Sequence, residues 1–189
     1  MSGAGTATLA VIGAGPKAIA VAAKAAELRD MGVDVPDVVV VERSGVGANW
    51  QPVGGWTDGQ HRLGTSPEKD VGFPYRSTLV PRRNAELDER MTRHSWQAYL
   101  IAGSQVAGWV GRGRPAPTHS GWSRYLRWVA DNVGMTVLAD EVVGIDVRDE
   151  PIVVTAPRLK KVVPWPTGCH SIPLDCPSRT HEVRAKELT

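Results

Sequence analysis

The chain has 189 residues, enough to bury a core, and its 22 Lys+Arg against 20 Asp+Glu leave it near neutral at +2. With no run of like charge, that balance gives no electrostatic footprint for a nucleic-acid partner. The apolar runs are too short to span a bilayer, and residues 1–8 lack the basic start and apolar core of a signal peptide. The two cysteines, Cys169 and Cys176, both lie late in the chain, which argues against a disulfide framework and makes a reducing cytoplasm the expected compartment.

The first element is the apolar run Leu9-Ala10-Val11-Ile12, which reads as a buried strand. Gly13-Ala14-Gly15-Pro16-Lys17-Ala18 follows, a G-x-G-x-x-A turn opening onto an alanine-rich helix. Gly13 suits the tight turn, Gly15 lets a backbone approach a diphosphate, and Ala18 allows close helix–strand packing. Pro16 fits the first helical position, and the helix N-terminus offers free N–H groups to a phosphate. Ile19, Ala22, Ala23 and Ala26 form an apolar stripe with Lys24, Glu27 and Arg29 largely off it, and Gly32 and Pro36 end the helix. Val38 to Val41 read as a second strand, parallel and covered on both faces, and Glu42 closes it. The βαβ unit predicts an α/β fold of Rossmann type that binds a dinucleotide. Glu42 is either the acceptor for an adenosine ribose or a solvated strand-end acid. As a ribose ligand it disfavours a 2′-phosphate in the same place.

From Ser44 to Pro81 the chain is rich in Gly and Pro, yet Trp50, Trp56, Phe73 and Tyr75 supply apolar area. This predicts an ordered loop region covering a ligand. Lys69, in Ser66-Pro67-Glu68-Lys69-Asp70, reads from its chemistry alone as a surface lysine. Asn84 to Gly103 is more helical, with Leu87, Met91, Trp96, Tyr99 and Leu100 as core contacts. Gly108 to Pro117 reads as a loop carrying Arg112 and Arg114. Trp122, Tyr125, Leu126, Trp128 and Val129 stripe a further helix ended by Gly134. Thr136–Leu138 and Glu141–Val147 read as strands. Past Asp149 the chain is punctuated by Pro151, Pro157, Pro164, Pro166, Pro173 and Pro177. Cys169-His170 and Cys176 fit no standard zinc spacing, so no metal site is expected. Residues 1–149 are therefore expected to form the nucleotide-binding domain, and 150–189 an atypical, poorly ordered Pro-rich tail.

Several loop blocks now combine with the glycine turn. Val41-Glu42-Arg43, Asn49-Trp50-Gln51-Pro52 and Lys69-Asp70, in this order, resemble the flavin-dependent N-hydroxylating monooxygenases. The longer run from Arg62-Leu63-Gly64-Thr65-Ser66-Pro67 to Phe73-Pro74-Tyr75, with Pro81-Arg82-Arg83-Asn84 and Tyr125-Leu126-Arg127-Trp128, is most similar to the mycobactin-type lysine N6-hydroxylases. The resemblance covers about residues 7 to 148.

It implies a Rossmann-like FAD-binding domain, a three-layer architecture on a parallel sheet, here incomplete. Gly13, Gly15, Pro16 and Lys17 would hold the FAD diphosphate and Glu42 the ribose. Trp50 and Gln51 would line the flavin side, Val142 would meet the adenine through its backbone, and Lys69 would pair with the substrate α-carboxylate. Ornithine-specific members carry Gln where this chain has Gly64. The implied reaction uses FAD, NADPH and molecular oxygen to hydroxylate the side-chain amine of lysine, or of an acylated lysine, in hydroxamate siderophore synthesis. No catalytic side chain is singled out, and oligomerisation is left open.

No second G-x-G-x-x-G/A fingerprint for NADPH follows a strand in this sequence. The expectation is therefore a truncated copy whose last forty or so residues arise from a frameshift. The alternative is a non-catalytic FAD-binding fragment. An ordinary NAD-dependent oxidoreductase is disfavoured by the block from Trp50 to Lys69.

Overall fold

In the computed structural model, residues 8–74, 76–146, 152–155 and 182–185 are described. The β-branched run Asp37–Val41 forms β2, the middle strand of a parallel sheet. On one side it pairs with β1 (Thr8–Ile12), from Thr8↔Asp37 to Ile12↔Val41; read from the sequence as a buried strand, β1 is instead an edge strand whose Leu9, Ala10 and Ile12 are exposed. On the other side β3 (Thr136–Leu138) runs parallel, from Val39↔Thr136 to Val41↔Leu138. Val39, Val40 and Val41 are all buried, as a middle strand without alternation requires. The expected βαβ unit is thus present, with α1 (Pro16–Asp30) as its crossover.

Helix α1 is buried along two sides. Ala14 and Ala18 pack with Val40 against the sheet. Ile19, Ala23 and Leu28 pack into a larger cluster with Leu87, Met91, Tyr125, Leu126 and Val129. A helix held between two layers has little solvent face, and this corrects one expectation: Glu27, read as lying off the apolar stripe, is buried. Its carboxylate Oε1 meets His94 Nε2 at 2.8 Å, and Arg90 Nη1 lies 3.7 Å from Oε2.

The helical layer consists of α2 (Asn84–Met91), a 3₁₀ turn at Thr92–His94, α3 (Trp96–Ala102), α4 (Val106–Gly111) and α5 (His119–Asn132). Ser95 Oγ accepts from Ala98 N–H at 3.0 Å and Thr118 Oγ1 from Gly121 N–H at 3.1 Å, capping α3 and α5. Leu87, Met91, Trp96, Leu100, Trp122, Tyr125, Leu126 and Val129 are core, as expected, while Tyr99 and Trp128 are only partly buried against it. Helix α4 begins before, and runs into, the segment read as a loop. Trp109 is the reason: it is buried, and its indole N–H donates to Pro115 O at 3.0 Å, so packing outweighs the low propensity of Gly108 and Gly111.

Among the described residues between β2 and α2, the only helix or strand is a 3₁₀ turn at Ala48–Trp50. This agrees with an ordered loop region, but Trp56 does not supply buried area: it is 87% exposed. Tyr75 lies outside the described residues. After β3, Asp140 N–H donates to Leu138 O at 3.0 Å and Glu141 N–H to Asp140 Oδ1 at 2.7 Å. That turn uses amides a ladder would need, so the strand expected from Glu141 starts only at Gly144. This β4 (Gly144–Asp146) pairs antiparallel with β5 (Ile152–Thr155), and β5 with β6 (Glu182–Ala185). Most of the Pro-rich stretch, with Cys169, His170 and Cys176, lies outside the described residues. Among those described, no group of three His, Cys, Asp or Glu side chains could hold a metal ion, and no helix is long and apolar enough to cross a membrane.

Candidate dinucleotide-binding site

The carboxyl ends of the three parallel strands converge, which is where open α/β sheets bind ligands. Gly13 N–H donates to Val41 O at 2.8 Å, and Glu42 N–H donates to Leu138 O at 3.0 Å. Gly13 has φ +89°, a conformation costly for any residue with a Cβ. Gly15 is the N-cap of α1, and no side chain caps it. A Cβ on Gly15 would meet no protein atom within 4 Å. Gly15 and Pro16 line a cleft and so set the uncapped start of α1 beside it, the arrangement a diphosphate needs.

Glu42 ties this turn together. Its Oε2 accepts from Ala14 N–H at 2.9 Å and its Oε1 from Ser44 N–H at 2.7 Å. Gly47 N–H in turn donates to Ala14 O at 3.0 Å, which docks the following 3₁₀ turn onto the glycine turn. Each carboxylate oxygen has further lone-pair capacity, so holding the turn is compatible with accepting a ribose hydroxyl.

These parts line one cleft of about 600 Å³. Its walls include Gly15, Pro16, Glu42, Asn49 and Trp50, and at the far end Asp58, His61 and His119. That volume lies in the range of small-molecule sites. Of the residues singled out from the sequence, Gly15, Pro16, Glu42 and Trp50 thus share a cavity. Gly13 lies one residue behind its lining. Lys17 is exposed on the first turn of α1, and Gln51 is half-buried, with its N–H donating to Ala48 O at 2.9 Å. Val142 is half-buried beyond β3, next to Glu141, whose carboxylate meets Arg43 Nη1 at 2.6 Å.

Lys69 is exposed and outside the cleft lining. Its own turn is closed by Lys69 N–H donating to Ser66 O at 3.2 Å. The residues after it are clamped. Asp70 Oδ2 accepts from Trp96 N–H at 2.6 Å, Val71 N–H donates to Tyr125 Oη at 3.0 Å, and Tyr125 O–H donates to His94 O at 2.6 Å. Gly72 lies against the backbone of Met91 and Ser95, with no room for a Cβ. Burial pushes the Asp70 carboxyl up to about 6, against the lowering effect of the Trp96 and Gly72 amides. Burial also pushes the Tyr125 phenol up, with the Asp70 charge adding to it.

Asp58, His61 and His119 escaped the sequence reading. The Asp–x–x–His spacing was a local signal for the first two, but nothing local places His119 beside them.

Together the sheet order and the glycine turn define a Rossmann-like α/β domain, incomplete in its sheet. No family model matches the chain. Over 142 residues it is 78% identical to the L-lysine N6-monooxygenase MbtG of Mycobacterium sp. (strain MCS), covering 75% of this chain and 33% of that protein. Identity to the L-lysine N6-monooxygenase MbtG of Mycobacterium tuberculosis (strain ATCC 25618 / H37Rv) is 76% over 135 residues, 71% of this chain and 31% of that one. Among solved structures, the lysine monooxygenase NbtG from Nocardia farcinica superposes with a TM-score of 0.73 at 48% identity, over 79% of this chain and 49% of that one. The ornithine hydroxylase PvdA from Pseudomonas aeruginosa shares the fold, with a TM-score of 0.57 at 22% identity, over 82% of this chain and 35% of that one. Over about three quarters of its length, then, this chain is similar to the L-lysine N6-monooxygenases, as the loop blocks implied. It spans about a third of the length of the curated relatives it matches.

Proposed function

We propose that this chain binds FAD in the cleft between the glycine turn and the Ala48–Trp50 turn, as the FAD-binding part of a lysine N6-hydroxylase of hydroxamate siderophore synthesis. The 78% identity to a lysine N6-monooxygenase over 142 residues carries the reading. The cleft fits the cofactor: the space at Gly15 is open, the first amides of α1 lack a side-chain cap, and Glu42 stands at the ribose end. Residues 1–149 form this domain in the proposal.

When bound, FAD would supply the redox chemistry by which NADPH and molecular oxygen hydroxylate the substrate amine. The chain's own part is to bind and orient. Gly13, Gly15, Pro16 and Lys17 cradle the diphosphate through backbone and helix dipole. Glu42 accepts from the ribose while fixing the turn through Ala14. Trp50 and Gln51 border the flavin side, and Val142 meets the adenine through its backbone. Lys69 pairs with the α-carboxylate of lysine, and the clamp at Asp70–Gly72 fixes where Lys69 stands. Anchoring the far carboxylate positions the amine without touching the reacting nitrogen. That nitrogen must be neutral to act as a nucleophile, against an ordinary pKa of about 10.4, and a dry pocket favours the neutral form.

The second reading is a non-catalytic FAD-binding fragment. It is favoured by the lack, in this sequence, of a second G-x-G-x-x-G/A that follows a strand: Gly111–Ala116 has the spacing but follows a helix. Purified chain loaded with FAD, then given NADPH with and without lysine, separates the two. The fragment reading expects bound flavin and no NADPH oxidation. Lysine-dependent hydroxylamine formation would overturn it and leave the full hydroxylase activity in this chain.

A further inference from the structure

The far end of the cleft carries chemistry that diphosphate and ribose do not use. Residues 59–63 lie antiparallel against 117–120. His119 N–H donates to His61 O at 2.7 Å, Ser120 N–H to Gly59 O at 2.9 Å, and Leu63 N–H to Pro117 O at 3.0 Å. A Cβ on Gly59 would collide with Ser120 Oγ, so the two segments are pressed together. These bonds occupy the first amides of α5, which leaves the side chains to meet a ligand there.

Those side chains form an aromatic wall with hydrogen-bonding edges. His119 stands edge-on to Trp50, with ring centroids 4.9 Å apart and planes at 82°. The His61 ring lies 6.1 Å from that of His119, tilted by 32°. His61 Nδ1 is held by Asp58 Oδ1 at 2.8 Å. His119 Nδ1 is shut off from solvent and has no hydrogen-bond partner. A nitrogen that solvent cannot reach cannot meet a ligand in the cleft either, so it is the opposite edge of the His119 ring, carrying Nε2, that is left to face the cleft. Flat aromatic faces with polar edges suit a planar heteroaromatic ring better than a sugar or a phosphate.

We propose that His119, braced by Trp50 and by the Asp58–His61 pair, is the residue that grips the polar edge of the cofactor's redox ring. This rests on the reading that the cleft holds FAD. His119 then separates FAD from nucleotides that share only its adenosine and phosphate end.

Calorimetric titration of the purified chain with FAD and, separately, with ADP tests this. FAD binds about tenfold or more tighter than ADP, the worth of one good added contact. His119→Phe lowers FAD affinity about tenfold and leaves ADP affinity unchanged, and His119→Gln recovers part of the loss. Unchanged ADP binding also certifies that the variant is folded. If FAD binds no tighter than ADP, or if His119→Phe leaves FAD affinity unchanged or weakens both ligands alike, the ring contact is wrong and the dinucleotide cleft stands. If neither ligand binds the unaltered chain, the dinucleotide reading itself falls, and this inference with it.

Discussion

Asp70 shows how one residue can hold a site and weaken the fold. Its carboxyl caps the start of α3 through Trp96 N–H, yet burial raises its pKa to about 6 from the ordinary carboxylate range near 4. Between those values the folded chain binds more protons than the unfolded one, so stability falls as pH rises from about 4 to about 6. Asp70→Asn keeps an oxygen for the Trp96 amide and removes the charge. The variant is therefore expected to match the parent in melting temperature at pH 4 and exceed it at pH 7. A parent-like fall across that window in the Asn variant would contradict the assignment. The Asp70 environment was not legible in the sequence, because the groups that bury it come from α3 and α5. Glu42 was legible: strand, turn and acid follow one another locally. Its second task, holding Ala14 N–H, was not, because that bond depends on how the turn folds back over the strand end.

At the scale of elements, Tyr125 on α5 joins three pieces of chain. Its hydroxyl accepts from Val71 N–H and donates to His94 O, linking the loop after Lys69 to the corner between α2 and α3. Tyr125→Phe leaves both backbone groups buried and unpaired, at about 2–3 kcal/mol. In a chain of this size that lowers the melting temperature by roughly 5–10 °C. Tyr99→Phe, at a half-buried ring of the same aromatic cluster, is the control and changes stability by under about 0.5 kcal/mol. Equal effects from the two would show that the hydroxyl bridge carries nothing. The same scale explains which elements could be read in advance. Strand β1, α1 and β2 are marked by local punctuation at Gly13, Pro16, Gly32 and Pro36. Helix α4 is not, since Gly108, Gly111 and the arginines mimic a loop and only the buried Trp109 makes it helical. Glu27 read as a surface acid because its partner, His94, lies far along the chain.

Across the described residues, the sheet, α1 and the helical layer bring the carboxyl ends of β1 and β2 and the N-terminus of α1 to a common cleft. The end of that cleft built by the glycine turn and Glu42 was readable because strand, turn, helix, strand and acid follow one another along the chain. The histidine end was not, because residues 59–63 and 117–120 meet only through the fold. Gly15 lies where these scales join: its backbone is extended, with φ −84°, and the space beside it is empty of protein. Gly15→Val therefore fits the fold and blocks only what enters the cleft. FAD titration of the parent and of Gly15→Val, with melting temperatures of both, tests whether this cleft holds the cofactor. FAD is expected to bind the parent and to bind the variant at least about tenfold more weakly, with little change in melting temperature. Equal FAD affinity in the two proteins, or none in the parent, would contradict that expectation.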